Sequence, residues 1–496
     1  MMPPTRYALG VMFAALLLWT TSPCYAMPAV QLAYASTLPG NRVQLDSTGL
    51  TLQARDTDGT PRWSYQVQQA VNGSDCTGQL WIAPLLQDAN GDGLINAAQG
   101  DRARLMLSIR WQSQGRNHSA IAALELSTPG PPQLLWRHDD QQLGNLADVV
   151  VAPTVGRLRI GKLNHDNAQW VVLLGAGLPR KATATSSARS GAQVLALDAQ
   201  DGRLLWRAGP TGSGADQSFA SMQHAIAAAL TVLDTNNDGQ IDRLYVGDWN
   251  AALWRFDFTP GAPATFLAAG GVLAQLAEPA YPLSRGFLAA ADVTLLRQGA
   301  QQWFNIALGS VATGLSVAGK QSLFVVRDRQ PYTTQTQQQF DARLALSASD
   351  LPMLNDSSLH GISDAAPGWQ LPLGQGQSMT RALTLGGVLL FTQVLSPPPL
   401  ESLACRNRQP QVQVAVGAVS AVTGLPALDL NQDGRNDTQD RAVQITEVDR
   451  VDAALTPTPP TAEPYAAGCQ LDDTPLAACP ALPLPRQLYW RRDDAD

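Results

Sequence analysis

Histidine and cysteine are both scarce, with five of each in 496 residues. The histidines stand at 118, 138, 165, 224 and 360, without paired metal spacing, and no cysteine spacing resembles a zinc site. There is no G-x-S-x-G elbow for a nucleophilic serine. A near P-loop, Gly314-Leu315-Ser316-Val317-Ala318-Gly319-Lys320-Gln321, ends in Gln where magnesium needs Ser or Thr. A strand pattern follows it instead of a helix whose N-terminus would face phosphate. Catalysis therefore has little to stand on, and the chain is expected not to be an enzyme. Runs of Lys and Arg are also missing and the net charge is −7, a poor composition for gripping nucleic acid or anionic lipid. Beyond the N-terminus no segment is long and apolar enough to cross a bilayer, which takes about 20 residues.

What is present begins with an export signal. Arg6 supplies a positive start, Ala8 to Trp19 is a short apolar run, and Cys24-Tyr25-Ala26 puts small residues where a signal peptidase reads. The expected division is a signal peptide over 1–26, a main domain over 27–450 and an arm over 451–496. Cleavage removes Cys24 and leaves Cys76, Cys405, Cys469 and Cys479, an even count that favours two disulfides in an oxidising compartment. Four cysteines allow three pairings; the preferred one joins Cys469 to Cys479 locally and Cys76 to Cys405 over long range.

The hydrophobic segments are short, β-branched or aromatic, and bounded by Gly, Pro, Asn and Asp. Arg104 to Trp111, Trp170 to Leu174, Gln193 to Leu197, Leu244 to Val246, Trp303 to Leu308, Ser322 to Val326 and Gly387 to Phe391 all read as strands. The stretch 223–230 fits either a helical turn or a buried strand of small residues. A loose unit recurs: a strand ending in Gly175, Gly247 or Gly309, a variable loop, then a strand ending in Asp198, Asp257 or Asp328. Leu-Leu-Trp-Arg occurs at 134–137 and 204–207 and is echoed by Leu253-Trp254-Arg255. Such repetition predicts an all-β fold, a β-propeller, with Trp136, Trp206 and Trp254 wedged between blades. From Val451 the composition turns to Pro and Thr, as in an extended arm.

The most specific motif is Asp234-Thr235-Asn236-Asn237-Asp238-Gly239-Gln240-Ile241-Asp242, a D-x-N-x-D-G-x-x-D loop. Calcium takes six to eight oxygens, and alternate positions aim Asp234, Asn236 and Asp238 at one point. Gly239 permits the turn, the Gln240 carbonyl serves position 7, Asp242 serves position 9, and Ile241 is expected to anchor the loop in the core. A second copy offers Asp429, Asn431, Asp433, the Arg435 carbonyl, Asp437 and, at position 12, Asp440. A third offers Asp88, Asn90, Asp92, the Leu94 carbonyl and Asn96, but has Gln99 at position 12, with Asp101 two residues late. The expected cofactor is Ca2+.

Between Leu143 and Phe258 the chain resembles the C-terminal propeller of the PilY family, the calcium-binding proteins of type IV pilus tips and pilus biogenesis. The resemblance rests on Pro153 to Leu158, on Trp170-Val171-Val172-Leu173-Leu174-Gly175-Ala176-Gly177, and on Leu244-Tyr245-Val246-Gly247-Asp248 with Leu253-Trp254-Arg255-Phe256-Asp257 behind the calcium loop. Gly368 to Leu371, Gly386 to Thr392 ahead of Pro397 and Cys405, and the final Tyr489-Trp490-Arg491 keep the family's order. No D-x-S-x-S adhesion motif of the von Willebrand A-like region occurs. The resemblance implies an exported protein of a Gram-negative bacterium, in the periplasm, at the pilus tip or on the cell surface. It implies minor pilins or other tip components as partners, with adhesion to host or abiotic surfaces as a further role. Two alternatives remain. Ala196 to Trp206 also resembles the tryptophan repeat of quinoprotein dehydrogenases, in a single good copy and without their adjacent cysteines; a scaffold propeller of outer-membrane assembly is the other.

Overall fold

The structure, a computed structural model, describes residues 43–448 apart from short internal stretches, together with Val30–Leu32, Gln470–Leu471 and Thr474–Pro475. The stretches left out include 68–77, 88, 90–98, 179–190, 314–320, 356–360, 375–380 and 396–411. Six sheets of four or five strands account for most of what is described. The first holds Val30–Leu32, Val43–Thr48, Thr51–Asp56 and Pro61–Gln66; the second Gln79–Gln87, Arg102–Ser113, Arg116–Glu125 and Gln133–Asp139. The third holds Thr154–Leu158, Gln169–Gly175, Val194–Asp198 and Leu204–Gly209, extended by Gln217–Ser218. The fourth holds Thr231–Leu233, Arg243–Gly247, Ala252–Phe258 and Ala268–Gln275, extended by Leu346–Ser347. The fifth holds Asp292–Gln298, Gln301–Gly309, Ser322–Asp328 and Gly368–Pro372; the sixth Leu383–Leu385, Val388–Val394, Val412–Ser420 and Ala442–Val448. In each, the four main strands pair antiparallel in chain order.

Side-chain alternation explains why these sheets stack face to face. Successive residues of a strand point to opposite faces, so an unbroken apolar run is buried on both. In Gln169–Gly175, Val171 and Leu173 join a cluster with Trp254 and Phe256 of the fourth sheet. Val172 and Leu174 join another, with Ile121 and Trp136 of the second. In Ser322–Asp328, Phe324 and Val326 face the fourth-sheet cluster, while Leu323 and Val325 pack with Phe391 and Val419 of the sixth. Leu52 and Ala54 of the first sheet meet Leu105 and Leu107 of the second. The opening strands of the second, third and fourth sheets touch in series. These sheets are the blades of an all-β propeller fold. Trp136, Trp206 and Trp254 lie buried between them, as expected.

The strand-ending glycines have a steric reason. A Cβ on Gly175 would stand 2.2 Å from the Ile226 carbonyl oxygen, and one on Gly247 would stand 2.5 Å from the Phe287 Cβ. Chain crossing between blades presses directly on the strand ends, so no side chain fits there. The stretch 223–230 is the crossing that meets Gly175. It forms neither helix nor strand ladder; Ile226 donates to the Gly191 carbonyl at 2.9 Å and accepts from the Gly177 amide at 3.0 Å. Its small residues serve close passage rather than periodicity. Most of the arm over 451–496 lies outside the described residues, as does 314–320 of the near P-loop. Among the described residues no helix is long and apolar enough to cross a membrane.

Candidate metal centre

The loop 234–242 joins the first two strands of the fourth sheet, and its shape is set by side chains accepting from its own backbone. The Asp234 Oδ2 accepts from the Gly239 amide at 2.7 Å, Asn236 Oδ1 from the Asp238 amide at 2.8 Å, and Asp238 Oδ1 from the Gln240 amide at 2.9 Å. Asp242 closes the loop, its Oδ2 accepting from the Thr235 amide at 2.7 Å, the Thr235 hydroxyl at 2.8 Å and the Asn236 amide at 3.2 Å. Gly239 takes the left-handed backbone the turn needs, with φ 78°. Ile241 is buried in the core, as its position in the motif predicts, and its amide donates to the Arg157 carbonyl of the third sheet at 2.9 Å. Burial raises the Asp234 carboxyl above its ordinary value, with the charges of Asp242 and Asp238 adding to the rise against the Gly239 amide. Carboxylates have been gathered here against their mutual repulsion.

The second loop repeats the first three of these side-chain-to-amide bonds. Asp429 Oδ2 accepts from the Gly434 amide at 2.9 Å, Asn431 Oδ1 from the Asp433 amide at 3.0 Å, and Asp433 Oδ1 from the Arg435 amide at 2.8 Å. Gly434 has φ 85°. Asp440 closes this loop, accepting from the Asn431 amide at 3.0 Å and the Asp437 amide at 2.9 Å; it is fully buried in a short 3-10 turn, Thr438–Arg441, capped by Asp437. The other carboxylate oxygen of Asp429, Oδ1, is buried with no hydrogen-bond donor among the described residues. A buried anionic oxygen without a donor is costly, and a cation would relieve it.

In the third loop Asp88, Asn90, Asp92, Leu94 and Asn96 lie outside the described residues, as do Cys76, Cys405, Cys469 and Cys479. The buried Asp101, however, accepts from the Ala89 amide at 2.7 Å. It thus makes, from a later position, the closing bond that Asp242 makes to the Thr235 amide. Fixed motif spacing misses this. The better signal is the dipeptide after each loop, Asp101-Arg102, Asp242-Arg243 and Asp440-Arg441, each leading into a strand.

The donor set fits a hard cation: carboxylate, amide and carbonyl oxygens with no sulfur or imidazole. Asp234, Asn236, Asp238, Asp242 and the Gln240 carbonyl would hold it in the first loop. Asp429, Asn431, Asp433, Asp437, Asp440 and the Arg435 carbonyl would hold it in the second. Among the described residues, no three His, Cys, Asp or Glu side chains converge as a ready metal cluster. The loop carboxylates are turned to backbone amides, which shape both loops before any cation enters.

Beside the first loop lies a buried charge network. Arg243 Nε donates to Asp257 Oδ1 at 2.6 Å, Arg255 Nη2 to Asp257 Oδ2 at 2.6 Å, and Arg255 Nη1 and the Tyr245 hydroxyl to Asp328 Oδ2 at 2.7 and 2.6 Å. Burial and the Asp328 charge push the Tyr245 hydroxyl well above its ordinary value, so it stays protonated and donates. The recurring strand-ending Asp257 and Asp328 are thus structural counter-ions. Asp248, of the Gly-Asp…Trp pattern, accepts from the Asn250 and Ala252 amides at 2.8 Å each and from Trp254 Nε1 at 3.1 Å. Burial raises its carboxyl as well.

No family model matches the chain. The chain is 28% identical over 146 residues to the type IV pilus biogenesis factor PilY1 of Pseudomonas aeruginosa, a match covering 29% of this chain and 10% of that protein. It is 26% identical over 172 residues to the PilY1 homologue of Xylella fastidiosa, covering 34% of this chain and 12% of the relative. The matched segment thus spans about a tenth of either relative. The crystal structure of the Pseudomonas aeruginosa PilY1 C-terminal domain aligns with a TM-score of 0.52 at 17% identity, over 78% of this chain and 81% of that domain.

Proposed function

The chain is a PilY family protein, and from that premise we propose that it acts in type IV pilus biogenesis as an exported, calcium-binding propeller. The observation that carries the calcium reading is the repeated hydrogen-bond pattern of the two loops. Asp234, Asn236 and Asp238 are placed by the same three bonds as Asp429, Asn431 and Asp433. In both, the oxygens sit at the alternate positions calcium uses. Calcium would supply a positive charge that neutralises these carboxylates. The protein's own share is to hold the oxygens on rigid strand ends. Its partners are then minor pilins or other components of the pilus tip, and its role is binding rather than chemistry.

Calorimetry on chelator-stripped protein should register two calcium ions per chain, with magnesium competing poorly because it demands a tight octahedron. In a strain whose only copy carries Asp238→Ala, surface piliation or twitching motility should change while the protein is still exported. Absence of calcium heat would overturn the metal reading. Unchanged motility, with calcium loss at the loop established, would overturn the pilus role of that site.

A further inference from the structure

Both candidate loops are followed by a buried arginine, Arg243 and Arg441, and both arginines reach the same piece of chain. That piece is the connection between Ser322–Asp328 and Gly368–Pro372 of the fifth sheet, described at 329–355 and 361–367. At its start, Arg243 donates to the carbonyls of Gln330, Pro331 and Thr333 at 3.1, 2.8 and 2.9 Å. Arg255 donates to the Thr333 carbonyl at 2.6 Å, and Asp257 accepts from the Gln335 amide at 2.7 Å. Further along, Arg441 donates to the Asn355 carbonyl at 2.6 Å, and the Ile362 amide to the Thr423 carbonyl at 3.0 Å.

Between these grips the connection crosses three blades. Its helix, Gln337–Ala342, is fixed to the fourth sheet by the Gln337 side chain, which exchanges hydrogen bonds with Gly270 at 3.0 Å in both directions. Leu346–Ser347 then pairs with Ala274 and Gln275 as an extra strand of the fourth sheet. Leu354 packs in the core shared by the fifth and sixth sheets. A candidate metal loop stands behind the arginine at each end of this strap.

We propose that the two loops act on this one strap, each setting the order of its own end, so that the strap is fully held only when both loops are filled. The proposal rests on the calcium reading above. Its physical link is short. The Asp242 amide donates to the Leu233 carbonyl at 2.9 Å and its carbonyl accepts from Phe258 at 2.7 Å, so Asp242 is the last loop residue and the first rung of the ladder that aims Arg243. Asp440 directly precedes Arg441 inside one 3-10 turn, where its amide donates to the Asp437 carbonyl at 3.0 Å. Any shift of the closing acid on metal binding moves the arginine next to it. By linkage, what filled loops do to the strap, the strap does to calcium affinity.

Hydrogen exchange on the full chain, with calcium or with chelator, tests this. Calcium at a hundredfold excess over Kd should slow exchange in 329–355 and 361–367 by up to about a hundredfold. With calcium present, Asp238→Ala should release mainly 330–336, and Asp433→Ala mainly 355 and 361–367. Peptides of the third sheet over 194–209 should not respond. Calcium heat with unchanged exchange across the strap would overturn the coupling and leave the metal reading standing. No calcium heat would overturn both. If either variant fails to fold, the wild-type comparison with and without chelator still decides.

Discussion

Loop 234–242 and loop 429–440 share three side-chain-to-amide bonds within their first seven positions and then part. The first returns at once: Asp242, at position 9, is half-buried and leads straight into a strand. The second runs three residues further and closes on the fully buried Asp440 inside a capped turn. The arginines that follow differ as well. Arg243 meets two carboxylates, at 2.6 Å from Asp257 and 3.9 Å from Asp328, and Arg441 donates to the Asn355 carbonyl at 2.6 Å. The shared part is the part that presents oxygens, and the divergent part fixes each loop to its blade. Oxygen placement is thus a local matter of carboxylates bonding nearby amides, while anchoring depends on what each blade offers.

The largest expected effect lies on the anchoring side of the first loop. Asp257→Ala leaves Arg243 and Arg255 buried with, among the described residues, only Asp328 for charge, and removing one partner of a buried pair costs about 3–5 kcal/mol. Arg441→Gln at the second loop removes the charged donor to the Asn355 carbonyl, and the loss of that bond should cost about 1–2 kcal/mol. Urea denaturation of the two variants measures the gap. Equal losses would mean that the buried carboxylates are not what distinguishes the loops.

The closing acids give the next effect. In calcium-free buffer Asp440→Ala should destabilise by about 1–2 kcal/mol, because it removes a fully buried acid, takes the acceptor from the partly buried Asn431 and Asp437 amides and removes half of a capping box. Asp242→Ala should cost less, since Asp242 is itself half-buried and one of the amides it accepts from, Asn236, is exposed. Thermal denaturation with chelator checks the order, and a reversal would show that burial of the closing acid does not govern loop stability.

Much of this was legible in the sequence. The repeated strand–Gly–loop–strand unit follows from steric contact at Gly175 and Gly247, so a blade pattern could be read locally. The oxygen-bearing positions of two loops were legible for the same reason, each being fixed by bonds within a few residues. What local reading missed depends on distant chain. Asp101 closes a loop through a bond to residue 89, outside the usual spacing. The pairing of Arg255 with Asp328 spans 73 residues, so the counter-ion role of Asp328 had no local signature. The crossing at 223–230 has apolar, small residues compatible with helix or strand, and only the neighbouring glycines decide that it is neither.

The smallest effect isolates the shared half of the loops. Gly239 and Gly434 have φ of 78° and 85°, a region where a Cβ costs roughly 1–2 kcal/mol. A Cβ on Gly434 would meet nothing within 4 Å, and one on Gly239 would meet only Arg157 Nη1 at an ordinary 3.7 Å. Backbone strain is therefore the whole cost in both, and Gly239→Ala and Gly434→Ala should lose about 1 kcal/mol each, alike within error. Calorimetry should likewise find calcium affinity lowered by similar factors in the two. A much larger loss for Gly239→Ala would mean that the contact with Arg157 of the third sheet, rather than the turn itself, holds the first loop in shape. The common hydrogen-bond pattern would then be a consequence of blade packing and not of the motif.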